Sequence, residues 1–185
     1  MTLGTTPSQT VGPFFSIGLS WPDSPFVVPE GSESAFWLRG RVLDGAGEPV
    51  PDALVETWQA DPEGRFDHPD DPRGASGGFR GFGRSPTDAD GKWAILTLKP
   101  GPVPGPDGAS QAPHIAVSVL ARGLLNRVVT RIYFPDELEA NATDPILATL
   151  TDDPARRTLL AHRSEDGYRF DVHLQGPDET LFFAV

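Results

Sequence analysis

The chain has 185 residues, of which 38% are hydrophobic, and this length suits one domain with a sizeable core. Its 20 prolines and 20 glycines predict long irregular loops around a β-rich core, while the hydrophobic fraction excludes a disordered chain. The formal net charge of −11 disfavours nucleic acid and anionic membranes as partners, because a diffuse negative field repels phosphate. The absence of cysteine excludes disulfides, thiolate metal sites and a cysteine nucleophile.

The N-terminal segment, residues 1–34, combines prolines with large apolar side chains that need burial. A long helix or a central strand is excluded by the prolines at positions 7, 13, 22, 25 and 29. The residues leave two interpretations open: an arm that packs on a partner chain, or a loop that covers one end of this chain's own core. The apolar side chains concerned are Val11, Phe14, Phe15, Trp21 and Phe26. The sequence shows no signal-peptide pattern and no membrane-length apolar run, so we expect a cytoplasmic protein.

Alternating apolar and polar residues predict two strands, Phe36–Asp44 and Ala53–Asp61. The glycine- and proline-rich linker Gly45–Asp52 predicts that these strands form a hairpin. Further strands are predicted at Lys92–Leu98, His114–Ala121, Arg127–Phe134, Gly167–Leu174 and Thr180–Val185. Capping residues predict two short helices, Pro145–Leu150 and Pro154–His162. The fold class is therefore mainly β, a sandwich of about seven strands with long ordered loops, an N-terminal arm and two short helices.

The glycine-rich stretch Gly74–Gly83 resembles no phosphate-binding loop, because it lacks the Lys-Ser/Thr ending of such loops. We expect a surface loop that is held in place by Phe79 and Phe82.

The four histidines are the natural candidates for metal binding or acid–base catalysis, but no two have the spacing of a local metal site. His68 lies among acidic residues, where a weak site of two histidines and one carboxylate competes with a solvated acidic loop; the loop is favoured. His162 is expected at a helix end, where its charge suits the helix dipole. No Gly-x-Ser-x-Gly motif indicates a hydrolase. The residues alone do not indicate a self-sufficient catalyst.

Six motifs occur in the order found in intradiol ring-cleavage dioxygenases, and together they cover the chain from about residue 6 onward. They are Thr6–Phe14, Gly40–Asp44 with Pro49–Ala60, Thr87–Gly91, Leu98–Pro102, Ala112–Ile115 and Thr130–Phe134. The chain resembles the alpha type of subunit in a family enzyme built from alpha and beta chains. The resemblance implies that the enzyme cleaves protocatechuate with O2 to give 3-carboxy-cis,cis-muconate, and that this chain assembles with a beta chain.

In that family the iron-binding chain holds Fe(III) with two tyrosines and two histidines. By resemblance, the tyrosine positions fall on Phe66 and Val103, and the histidine positions on His114 and Ala116. One neutral imidazole cannot replace hard phenolate donors. The resemblance therefore implies that Fe(III) is bound by the beta chain, that this chain holds no metal, and that His114 is a structural relic.

The resemblance also implies that this chain borders the substrate pocket at the interface with the beta chain. The bordering residues would be Thr10, Gly12, Pro13, Phe14 and Arg131. A rigid Gly-Pro turn exposes backbone to a flat ring, and a planar guanidinium suits a carboxylate. On the residues alone, a turn-capping Thr10 and an Arg131 paired with an acidic neighbour would be favoured.

A competing class is a non-catalytic β-sandwich module that binds or transports a small molecule. It would share the sandwich domain, residues 35–185, but it gives no reason for Pro7–Phe15, in the N-terminal arm of residues 1–34, to leave their own core.

Overall fold

The computed structural model describes residues 4–105 and 108–184. The protein is built from two large β-sheets. The first sheet contains β1 Phe36–Leu43, β4 Lys92–Thr97, β9 His162–Ser164, β10 Gly167–Arg169 and β11 Val172–His173. The second sheet has the order β3-β2-β7-β8 and contains β2 Leu54–Trp58, β3 Phe82–Pro86, β7 His114–Leu120 and β8 Val128–Tyr133. A separate ribbon pairs β5 Val103–Pro104 with β6 Ser110–Gln111. The short helices are α1 Phe14–Gly18, α2 Leu138–Thr143, α3 Asp153–Arg157 and the 3-10 turn Leu147–Thr149.

Alternate side chains of both sheets fill one core. In β1 the buried positions are Leu38, Gly40 and Val42, and in β7 every second residue from Ile115 onward is buried. Full burial of each such aliphatic side chain stabilises the fold by about 1.5–3 kcal/mol. The sandwich predicted from the sequence is therefore confirmed.

The predicted hairpin is wrong, because its two strands lie in different sheets. β1 pairs with β4, β10 and β11, whereas β2 pairs with β3 and β7. The predicted turn does form, since the Val50 amide donates to the Val42 carbonyl at 2.9 Å. After this turn the linker crosses between the layers, which lie about 10 Å apart in a sandwich. Each of the two strands can then bury its own apolar face. Because paired and unpaired strands show the same alternation of apolar and polar residues, the sequence pattern does not reveal whether β1 and β2 pair with each other.

Other boundaries were partly predicted. Strands β4, β7 and β8 lie where the sequence places them. Helix α3 ends at Arg157, so His162 begins β9 and does not end a helix. The predicted last strand is absent from residues 180–184, and Val185 lies outside the described residues. Within residues 4–105 and 108–184, no helix has the length and apolar character needed to cross a membrane.

The N-terminal segment divides into two parts. Residues 24–28 belong to this chain's own sandwich: the Val27 amide donates to the Leu96 carbonyl at 2.9 Å, and Phe26 packs edge-on against Trp37. For residues 24–28 the second interpretation, a segment that packs on this chain's own core, therefore describes the structure better. Residues 4–22 lie on the outside of the sandwich. Trp21 stacks on Phe82, and most of the other residues of this segment are exposed.

Candidate functional site: the outer face of the second sheet

The outer face of the second sheet carries a row of side chains that runs across its four strands. Cross-strand register places Phe82, Trp58, Ala116 and Arg131 side by side. The alternate residues of the same strands point into the core, so this row faces away from it. The four positions that the resemblance assigned to iron ligands lie around this row.

The first of these positions is brought to the row by a loop built on Asp61. Its buried carboxylate accepts hydrogen bonds from the backbone of Glu63 and Arg65, and from the backbone and side chain of Ser76. Burial raises the pKa of Asp61, but these bonds outweigh it and hold the pKa below its usual value. This loop places Phe66, the residue after Arg65, beside β2. The Phe66 ring lies parallel to the Trp58 ring, with 6.1 Å between the ring centroids.

Close backbone packing fixes the second position beside this loop. A side chain at Gly64 would meet the Pro102 carbonyl oxygen at 2.2 Å, and one at Gly101 would meet the Pro62 carbonyl oxygen at 2.3 Å. Glycine is therefore required at both positions where the two loops touch. The chain then enters β5 at Val103, which pairs with Gln111 of β6.

The third and fourth positions lie on β7. His114 and Ala116 share the outer face, and Ala116 pairs directly with Arg131. The His114 Nδ1 lies 2.7 Å from the Ala112 carbonyl oxygen, so this nitrogen carries the hydrogen and donates it. Burial, reinforced by the charge of Arg131, lowers the pKa of His114 to about 4, which keeps the ring neutral at neutral pH.

These residues do not fit Fe(III). Phenylalanine, valine and alanine offer no donor atom, so one neutral imidazole is the whole ligand set at this place. Throughout residues 4–105 and 108–184 there is no group of three or more His, Asp or Glu side chains that could hold a metal ion. His68 lies in an acidic loop with its Nδ1 accepting from the Asp70 amide at 3.2 Å.

The guanidinium of Arg131 is half-buried at the end of the row. Its Nη1 donates to the Gln111 Oε1 at 2.7 Å and lies 3.4 Å from the Tyr133 hydroxyl. Among the described residues no carboxylate forms an ion pair with Arg131, and its Nε and Nη2 have no hydrogen-bond partner. The simpler expectation of an acidic neighbour on the strand is therefore not met within this part of the chain.

The arm lies at the other end of the same sheet. The Thr10 Oγ1 accepts from the amides of Gly12 and Gly123, each at 3.2 Å, which ties the arm to the turn between β7 and β8. Gly12 has a φ of +70°, and Pro13 precedes α1, where the Phe14 side chain is 68% exposed. From Ala116, beside Arg131, to Ala121 at this end is about 16 Å along the strand. The structure thus brings the arm residues together but separates them from Arg131.

A cleft of about 700 Å³ opens beside the row. Its walls include Trp58, Phe66 and His68, whose imidazole meets Trp58 edge-on at 6.3 Å. Neither Gln111 nor the stacking of Trp58 on Phe66 was predicted from the sequence. For Gln111, the local signal is an amide side chain that follows a proline-rich loop. For the stacking, it is the spacing of eight residues between Trp58 and Phe66.

Residues 12–176 match a protein family described as Dioxygenase. The chain belongs to the intradiol dioxygenase family. The protocatechuate 3,4-dioxygenase alpha chain of Burkholderia cepacia is 43% identical, with 100% of this chain and 99% of that one covered. The beta chain of the same-named enzyme from that organism is 40% identical over 77% of this chain and 65% of its own length.

Solved structures agree with this placement. The dioxygenase domain of a dioxygenase and carbohydrate-binding fusion protein from Streptomyces sp. SirexAA-E superposes with a TM-score of 0.61 at 29% identity. The match covers 94% of this chain and 99% of that domain. The intradiol dioxygenase family that the sequence motifs indicated is therefore confirmed.

Proposed function

We propose that this chain is the non-iron-binding subunit of an enzyme that cleaves protocatechuate with O2 to 3-carboxy-cis,cis-muconate. In this proposal the Fe(III) centre and the chemistry of O2 belong to a partner beta chain, and this chain shapes the substrate pocket at their interface. The observation that carries the proposal is the identity of Phe66, Val103 and Ala116 at three of the four ligand positions. The relatives named above, an alpha and a beta chain of one enzyme, support a paired assembly.

The part assigned to Arg131 follows from its surroundings. A half-buried guanidinium is costly without an anionic partner, and Arg131 has no such partner among the described residues. Its Nε and Nη2 together form one edge of the guanidinium, and such an edge matches the two oxygens of a carboxylate. Protocatechuate carries one carboxylate. We therefore assign Arg131 to that group of the substrate.

The arm has a related part in the proposal. Phe14 and Ile17 are 68% and 73% exposed, which is unusual for large apolar side chains and favours burial by a partner. An interface of standard size covers about 800 Å² on each partner, or about 28 Å across. One partner chain lying on this outer face can therefore reach both the arm and Arg131. Thr10, Gly12, Pro13 and Phe14 would then border the same pocket as Arg131.

The experiment uses the complex with its beta chain. Deletion of residues 1–15 should weaken both association and turnover, because it removes Val11 and Phe14 from the exposed apolar surface together with the pocket border. Ile17→Ser should weaken association, since Ile17 belongs to that surface. Leu138→Ser is the matched control, because Leu138 is 75% exposed but lies on α2, away from the arm.

Copurification and initial rates are the measurements. If the deletion left both unchanged, the arm would be only a loop of this chain, and the interface proposed here would be wrong. An equal effect of Leu138→Ser and Ile17→Ser would show that any loss of apolar surface matters, which would also contradict the assignment.

A further inference from the structure

A chain of polar side chains leads from Arg131 into the protein. The first link is Gln111, whose Oε1 accepts from the Arg131 Nη1 at 2.7 Å. The second is the Tyr133 hydroxyl, 3.4 Å from the same Nη1. Both contacts use the same terminal nitrogen of the guanidinium, so they hold one edge of it, while the other edge has no partner in the part of the chain that the structure describes.

The orientation of the Tyr133 hydroxyl is set by Asp144. The tyrosine oxygen lies 3.3 Å from the Asp144 Oδ1, and a carboxylate can only accept, so the tyrosine donates its hydrogen there. Burial raises the pKa of Tyr133 to about 12, which keeps that hydrogen in place at neutral pH. The lone pairs of the hydroxyl remain available to Arg131. Hydrogen bonds therefore run in one direction, from Arg131 to Tyr133 and from Tyr133 to Asp144.

Asp144 is itself held rigidly. It is fully buried, and its Oδ1 accepts from the amides of Ile146 and Leu147 at 2.9 and 2.8 Å. Its Oδ2 accepts from the Ala112 amide at 2.8 Å. Because Ala112 follows Gln111 directly, one carboxylate fixes both the tyrosine and the strand that carries the glutamine. The two contacts on Nη1 are thus coupled through Asp144.

We propose that Gln111 and Tyr133, both anchored through Asp144, are positioning residues that turn the free Nε and Nη2 edge of Arg131 toward the carboxylate of the substrate. This rests on the proposed function, in which Arg131 binds that carboxylate. A long arginine side chain loses rotamer freedom when it binds, so holding it in advance reduces the entropy cost of binding. The same edge would equally suit an acidic side chain of the partner chain, and the experiment separates these two sources of a carboxylate.

The test compares protocatechuate with catechol, which has no carboxylate, in the complete alpha–beta complex. Gln111→Leu removes one acceptor, and Tyr133→Phe removes the other while keeping the ring. Each should raise the KM for protocatechuate by roughly three- to tenfold, the range expected for one hydrogen bond, and leave the KM for catechol almost unchanged. Gln175→Leu is the matched control, because Gln175 is exposed and lies beyond β11.

Gln111→Glu adds a sharper arm. The carboxylate keeps an acceptor at the same place but supplies Arg131 with an ion-pair partner, which competes with an anionic substrate. The KM for protocatechuate should rise more than in Gln111→Leu, while the KM for catechol stays unchanged. Equal losses on both substrates in these variants would overturn the positioning role, since a purely structural defect does not distinguish them.

Arg131→Leu separates this inference from the function on which it rests. If Arg131→Leu impairs protocatechuate selectively but the Gln111 and Tyr133 variants do not, positioning is wrong and the proposed function survives. If Arg131→Leu dissociates the complex and affects both substrates alike, the carboxylate belongs to the partner chain and both proposals for this residue fail.

Discussion

Replacement of Arg131 by leucine is the prediction that follows most directly from the site. The substitution removes the charge and the free Nε–Nη2 edge but keeps an apolar stem of similar length on β8. Hydrogen bonds to charged groups contribute about 1.5–3 kcal/mol, which corresponds to a loss of roughly 10- to 150-fold in kcat/KM for protocatechuate. Catechol should lose much less, because it has no carboxylate for the guanidinium to bind. Arg131→Lys should fall between, since it keeps the charge without the planar edge.

The assay measures initial O2 uptake by the complex with each substrate, together with iron content and copurification of the two chains. Iron content and assembly should stay intact in Arg131→Leu. Equal losses on both substrates would show that Arg131 shapes the pocket without binding the carboxylate. No loss on either substrate would return Arg131 to a structural role and contradict its assignment to the substrate carboxylate.

Two further predictions concern stability. Gly40→Ala should lower the free energy of unfolding in urea by about 1–3 kcal/mol or more, because a Cβ at this position would lie 1.7 Å from the Phe170 carbonyl oxygen. Gly77→Ala is the control and should be tolerated, since the space around Gly77 is open. Equal stability of the two variants would contradict this packing. Asp136 is partly buried, which raises its pKa, but hydrogen bonds from Lys99 and Tyr168 outweigh burial and lower the pKa to about 2. The Asp136 carboxylate therefore contributes to folding stability above its unfolded pKa of about 3.9, and this contribution is lost as the pH falls through about 2. The difference in Tm between wild type and Asp136→Asn should close over that range. A difference that persists at lower pH would contradict the assignment.

Sequence periodicity predicted the strands whose faces differ in polarity. In β7, for example, Ile115 and Val117 alternate with residues that tolerate partial exposure, and this pattern is a local property. The pairing of β1 was not predictable in the same way. Its neighbours include β10 and β11, more than a hundred residues later in the chain, and a glycine-rich linker predicts a reversal without specifying which sheet the next strand joins. Strand β3 was missed because Phe82–Pro86 contains a glycine and a proline, which are typical of loops.

The candidate site shows the same division. The motifs assigned Phe66, Val103, His114 and Ala116 to four ligand positions, and the structure places all four around one row on the outer sheet face. The support behind that row could not be predicted. Asp144, which contacts Tyr133 and Ala112, lies eleven residues after the end of β8 and just beyond α2, and no local pattern indicates such a contact.

Metal analysis of this chain, purified alone and in complex with its beta chain, tests whether the iron belongs to the partner, and circular dichroism confirms that the isolated chain is folded. We expect stoichiometric iron in the complex and none held tightly by the isolated chain, because the side chains of Phe66, Val103 and Ala116 supply no donor atom. Stoichiometric, tightly bound iron in the folded isolated chain would contradict this expectation.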